Sequence, residues 1–180
     1  MNQALSSQVA FTGREHAEAV QFARQAIVVD PEFWIGHLQL AQALEQLGQN
    51  EQALEALASA GRFSGGNSKV VALRGYIFAK LGRADAAREV LRTLVAVARE
   101  RYVPPYAMAL VHAGFGEPDN SFEWLDRCFD LHDVHMIFLP IDPKWDPLRA
   151  DSRFAALLKR AGLPMPAQPV ARTAQSPGMV

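Results

Sequence analysis

The stretch Ala41–Ala60, AQALEQLGQNEQALEALASA, decides how the rest of the chain is read. Alanine and leucine recur at spacings of three and four on both sides of Gly48, the pattern of two short amphipathic helices joined at a glycine. The pattern returns every 34 residues: Gly48 steps to Gly82 and Gly116, and Ala53 steps to Ala87 and Ser121 and back to Ala19. A fixed period of this length marks an array of helix–turn–helix units. One pair of short helices cannot hide two apolar faces alone, so neighbouring pairs stack and share a continuous core. The expected fold is therefore all-α, an α–α superhelix with a concave groove lined by the first helix of each pair.

Working outward, the unit over 34–67 carries Trp34, Leu38, Ala41, Leu44 and Leu47 before the glycine. Ala53, Leu54, Leu57 and Ala60 follow it, and Gly61, Gly65 and Gly66 end the pair. Upstream, Ala19, Phe22, Ala23, Ala26 and Ile27 make one apolar face of a helix that Asp30-Pro31 stops. Leu5, Val9 and Phe11 line a weak helix ending at Thr12-Gly13, and because the register begins before Met1 the first repeat reads as incomplete, at a truncation point. Downstream, Ser68 is the expected N-cap of a unit whose second helix runs to about Glu100. In the next unit Pro104 and Pro105 suit a first helical turn, where no backbone donor is needed.

Beyond this point the period weakens. The three prolines of DVHMIFLPIDPKWDPLRADSRFAALLKRAGL forbid one long helix in its front half. Asp151 then reads as the N-cap of a final helix carrying Phe154, Leu157 and Leu158, stopped at Gly162, and the step of 34 from Ser121 reaches Ala155 on it. The expected organisation is a repeat array over 1–131 and a degenerate fifth unit over 132–163 whose second helix caps the array. Residues 164–180, rich in Pro, Ala and polar residues, are expected to be a disordered tail.

Composition bounds the function classes. At 180 residues with 49% hydrophobic and 21% charged residues, the chain suits a single domain with a substantial core. A net charge of -1 gives no electrostatic reason to expect nucleic acid or an anionic membrane. The lone cysteine, Cys128, excludes an intrachain disulfide and fits a reducing compartment. No apolar run is long enough for a transmembrane helix, and MNQALSSQVAFTGR lacks the features of a secretory signal, so the cytoplasm is the default location.

These residues resemble the tetratricopeptide repeat family. The likeness rests on the turn glycines Gly48, Gly82 and Gly116 and on the small residues Ala19, Ala53, Ala87 and Ser121 that open each second helix. Ala26, Ala60 and Cys128 fill the later small position, from which Leu94 departs, and Gly75 fits the first-helix glycine, where Ala41 and Ala109 stand in the other complete repeats. The resemblance covers roughly 11–163 and implies a right-handed tetratricopeptide-like solenoid that binds a protein or peptide in its groove. FLPIDPKWDPLRADSRFAALLKRAGL is similar to the closing segment of bacterial tetratricopeptide proteins found in multidomain regulators, which implies a scaffolding or sensory role.

By register the inner wall of the groove holds Leu38, Gln42 and Glu45, then Tyr76, Ala79 and Lys80, then Tyr106, Leu110 and Ala113. This mixed surface with two tyrosines suits a peptide. The carboxylate clamp of chaperone-binding relatives is absent, since Leu38, Gln42, Tyr76, Val103 and Ala107 stand at its positions. One other cluster carries chemistry: Cys128, His132, Asp133 and His135 have ligand types for zinc or for a small hydrolase. The simpler reading gives Cys128 a core slot and makes Asp133 a cap, with no catalytic residue, metal or cofactor. Asp142, Asp146 and Asp151 read as caps, with Arg149 pairing one of them to lock the tail onto the last repeat. Self-association through the incomplete first repeat is a further reading.

Overall fold

A computed structural model describes residues 3–165 of the protein. Among the described residues the chain is helical without strands: α1 (Gln3–Thr12), α2 (His16–Val29), α3 (Trp34–Gln46), α4 (Asn50–Phe63), α5 (Ser68–Lys80), α6 (Ala84–Val97), α7 (Pro105–Phe115), α8 (Pro118–Asp130) and α9 (Ser152–Arg160). Two 3₁₀ helices, Val134–Phe138 and Pro143–Leu148, lie between α8 and α9. The call of disorder over 164–180 falls, from residue 166 onward, outside the described residues.

Each helix pair closes through the same turn. The backbone N–H groups of Glu15, Gln49, Arg83 and Glu117 donate to the carbonyls of Ala10, Leu44, Phe78 and His112 at 2.9, 2.9, 2.9 and 3.1 Å. Such a bond needs a left-handed residue just before its donor. Gly48, Gly82 and Gly116 supply it at φ of 74°, 70° and 70°. At the first turn Arg14 takes the same conformation, at φ 67°. The small residues opening the second helices, Ala19, Ala53, Ala87 and Ser121, are fully buried, each 0% exposed, which lets the paired helices cross closely.

The stacking of the pairs is uneven, and glycine placement explains it. A Cβ on Gly114 of α7 would lie 2.6 Å from the Tyr76 carbonyl oxygen of α5, and one on Gly75 would lie 2.9 Å from Val111 Cγ2. At Gly114 backbone therefore meets backbone, and α5 and α7 pack along their length. One repeat earlier, Lys80 stands where Gly114 stands. Its ammonium reaches 2.5 Å to Glu45 Oε1 on α3, whose side chain is otherwise buried. With a long side chain in that place, α3 and α5 touch at few points.

The end of the chain follows the register at one element and leaves it at another. Helix α9 lies on α8 with its arginines one repeat from their partners: Arg153 meets Asp119 and Arg160 meets Asp126, both at 2.7 Å. Phe154, Leu157 and Leu158 are buried beneath it. The 3₁₀ segment before it turns into the concave side instead. Trp145 is wholly buried and its Nε1 donates to Tyr106 Oη of α7 at 2.5 Å. The Lys144 ammonium lies 4.7 Å from the centre of the Phe11 ring of α1, and Asp146 accepts both guanidinium N–H groups of Arg14 at 2.5 and 2.8 Å. The segment thus spans the wall from the fourth pair to the first.

Several local expectations are corrected. Asn67, whose side chain accepts from Lys69 N–H, caps α5, and Ser68 is its first residue. Helix α6 ends at Val97, after which Arg99 and Glu100 bond three residues back in tighter turns. Gly61 lies inside α4, and the left-handed Gly65 and Gly66 end the pair. On α1, Leu5 and Val9 face outward, because Ala4, Ser7, Ala10 and Phe11 occupy the packed side. Asp142 and Asp151 cap helices, whereas Asp146 is an ion-pair residue that joins Arg149 to Arg14, so the tail is locked onto the first repeat as well as the last.

Two stability predictions follow from these contacts. Gly48→Ala forces a side chain into the left-handed region with open space around it and is expected to cost about 1 kcal/mol. Gly114→Ala drives a Cβ into backbone and is expected to cost about 3 kcal/mol. Urea unfolding checks the order, and equal midpoints would contradict the packing account. Burial raises the Asp146 pKa, but hydrogen bonds from Arg14 and Arg149 outweigh it and hold the carboxyl below its ordinary value. Its contribution is therefore full above the unfolded pKa and lost as pH falls through the lower folded one. Asp146 and Arg14 are each more than a third exposed, so Asp146→Asn should cost only about 1 kcal/mol at pH 7 and less near pH 2. Thermal melts at the two pH values test this, and a gap as large in acid refutes it.

Candidate functional site

Residues 34 apart fall into rows across the concave wall. One row holds Leu38, Ala72 and Tyr106, and the next holds Gln8, Gln42, Tyr76 and Leu110. The uneven stacking opens a cavity of about 230 Å³ against these rows, between α3, α5 and α7 and under the returning 3₁₀ segment. Of the nine residues assigned to the groove from sequence, Leu38, Gln42, Tyr106 and Leu110 line this cavity. Glu45, Tyr76, Ala79, Lys80 and Ala113 lie outside its lining. Among them Glu45, Tyr76 and Ala79 are buried, at 2%, 3% and 8% exposed, while Lys80 is exposed and sets its ammonium 5.3 Å from the centre of the Tyr76 ring.

The cavity wall is aromatic and aliphatic, with Trp34, Ile35, Leu38 and Phe138 partly open to solvent near its mouth. Half of its lining residues carry polar side chains. Gln42 Nε2 donates to Gln8 Oε1 at 3.0 Å, bridging α3 to α1. Lys144, 5% exposed, pairs with Asp142 at 2.7 Å. His135 Nδ1 lies 2.6 Å from Asp133 Oδ1. Burial raises the Asp133 pKa, yet the hydrogen bonds from His135 prevail and keep it below the ordinary carboxylate value. Burial, with the nearby Asp142 charge second, pushes the Tyr106 phenol well up, so it stays neutral. Gln39, also in the wall and 7% exposed, carries an Oε1 with no hydrogen-bond partner.

The Cys128 cluster does not assemble. Cys128 is sealed in the core, where burial, then the neighbouring Asp133 charge, push its thiol pKa well up. His132 stands exposed in the left-handed turn after α8, at φ 53°. Among the described residues no group of three or more His, Cys, Asp or Glu side chains is placed to hold a metal ion.

Sequence reasoning missed Arg14, Gln39, Lys144 and Trp145. A signal for Arg14 was present, since a backward step of 34 from Gly48 lands on it and marks a pair turn without glycine. Lys144 and Trp145 sit in a stretch without period, and only the path of the backbone brings them to the wall.

Compared with known proteins, residues 68–101, which contain α5 and α6, match the tetratricopeptide repeat family. No curated protein and no solved structure matches the chain. No helix among the described residues is long and apolar enough to cross a membrane. The turn bonds recur at the same positions from the first pair to the fourth, so the matched unit is one copy in a series. Residues 68–101 are a tetratricopeptide repeat, and the described residues form an all-α, tetratricopeptide-like superhelix.

Proposed function

We propose that this chain is a non-enzymatic protein–protein interaction module, the cytoplasmic scaffolding or sensory part of a bacterial regulatory protein. The observation that carries this reading is the tetratricopeptide repeat at 68–101 set in a phased series of helix pairs. Stacked pairs of this kind present one continuous concave surface, and extended concave surfaces are what repeat proteins use for partners. In this reading the array over 1–131 supplies the surface and the fifth unit over 132–163 closes it. Leu38 and Gln42 meet the partner, with Tyr106 and Leu110 as the floor beneath them. Glu45, Tyr76 and Ala79 shape the wall from behind, and Lys80 and Ala113 lie along its edge. Because the 3₁₀ segment already covers part of the wall, the partner meets it at the open side near Trp34 and Lys69. An apolar face ringed by polar groups suits a peptide or protein.

A second reading, self-association, is favoured by Leu5 and Val9, which are 59% and 64% exposed on the outer side of α1.

Affinity capture tests the docking surface. Wild type should retain a partner that Leu38→Arg loses by tenfold or more, while Val28→Arg, at a position 82% exposed on α2, should capture it as well as wild type. Equal capture by Leu38→Arg would overturn the concave assignment. Light scattering over a concentration series tests the second reading: a dimer that Leu5→Glu/Val9→Glu dissociates supports it, and a strict monomer removes it.

A further inference from the structure

We propose that the chain forms a closed two-fold dimer in which α1 packs antiparallel against α1 of a second copy, Leu5 of each against Val9 of the other. The self-association reading, on which this rests, thereby gains a surface, an orientation and a stoichiometry.

The register shows what α1 lacks. Steps of 34 from Leu5 meet Gln39, Leu73 and Ala107, and steps of 34 from Val9 meet Ala43, Ile77 and Val111. All six are buried, none more than 7% exposed, whereas Leu5 and Val9 are 59% and 64% exposed. At Val111 the cover is the preceding pair: its Cγ2 on α7 lies 2.9 Å from the place of a Cβ on Gly75 of α5. Val9 holds the same place on α1 and has no such cover among the described residues. Faces at these positions are what neighbouring pairs bury to hold a repeat array together.

The other end of the array is finished differently. Phe122 and Leu125 of α8 are buried, but the residues 34 further on, Ala156 and Lys159, are exposed on α9. A polar outer face is how a terminal helix of an array meets water. Docking α9 of another copy on α1 would press the Lys159 ammonium against Leu5 and Val9, where α1 offers it no carboxylate, so head-to-tail growth is disfavoured. Helix α1 suits its own copy instead. Gln3–Thr12 contains no charged side chain, so two such helices meet without repulsion and without stranding an ion. A patch that pairs with itself gives a closed dimer, not a filament. In the antiparallel arrangement each N-terminus lies beside the C-terminus of the other helix, which their dipoles favour. Both concave walls then face the same side, and the layer of first helices runs on from α3 and α1 of one copy to α1 and α3 of the next. One helix from each copy makes a small interface, so association is weak and depends on concentration.

Sedimentation equilibrium of the whole chain over a concentration series should fit monomer and dimer alone. Leu5→Glu/Val9→Glu should raise the dissociation constant tenfold or more and Lys159→Glu should leave it unchanged, with circular dichroism showing each variant folded. Orientation is read by mixing Leu5→Cys and Val9→Cys chains in oxidised glutathione. The mixed disulfide should predominate over either self-linked product, and wild type, whose Cys128 is buried, should give no cross-link. A strict monomer up to the solubility limit would overturn the α1 dimer and the self-association reading together. A dimer that survives in folded Leu5→Glu/Val9→Glu would leave self-association standing and remove α1 as its surface. Self-linked products in excess of the mixed one would overturn the antiparallel arrangement, and species that grow beyond the dimer would replace the closed pair with head-to-tail stacking.

Discussion

The structure depends on a turn that recurs every 34 residues, in which a left-handed residue lets the next N–H reach a carbonyl five positions back. That bond fixes the angle at which the second helix of a pair leaves the first, and so decides which faces remain to be covered by the next pair. Glycine meets the requirement at three of the four pair turns without a steric cost. At the first, Arg14 accepts the unfavourable conformation, and its guanidinium grips Asp146 at the far end of the chain. A left-handed arginine is a poor choice for the turn alone. Placed there, however, its side chain leaves the hairpin toward the concave side, where the returning segment passes.

The second organising feature is the contrast between two interfaces of the same register. Where Gly114 stands, backbone approaches backbone until a single added methyl would collide, and at Gly75 one would strike the Val90 and Val111 side chains. Where Lys80 stands, a long side chain and the buried Glu45 carboxylate take the place of that contact. A pair of this kind, with only the carboxylate buried, adds little net stability, because desolvation of Glu45 offsets the attraction. Its consequence is geometric: it holds two helices apart and leaves the space that the returning segment roofs. The same residue thus weakens the regular stack beside a cavity of about 230 Å³.

The returning segment gives the wall a character that a bare repeat array lacks. Trp145 is buried as deeply as any core residue, yet it comes from a stretch broken by prolines rather than from a repeat. The Arg14–Asp146 ion pair, the hydrogen bond from Trp145 to Tyr106 and the Lys144 ammonium over the Phe11 ring hold the segment across the concave face. The inner wall is therefore part lining and part lid.

The sequence by itself determined the helix pairs, their period and their turns, because these follow from local chemistry repeated in phase: glycine in the hairpin, alanine at the crossing, leucine on the hidden face. It also placed Ala155 on the last helix, whose Arg153 and Arg160 meet Asp119 and Asp126 of α8, each 34 residues away. For the candidate site it located the wall, and with it Leu38, Gln42, Tyr106 and Leu110. It did not separate these from Glu45 and Tyr76, which burial withdraws from the surface, since register reports direction along a helix and not the depth to which neighbours cover it. Tertiary structure alone decided the rest. The gap between α3 and α5, the isolation of Gln39 and the meeting of Arg14 with Asp146 arise between residues far apart in the chain, where no spacing encodes proximity and only the summed angles of four stacked pairs bring the ends together.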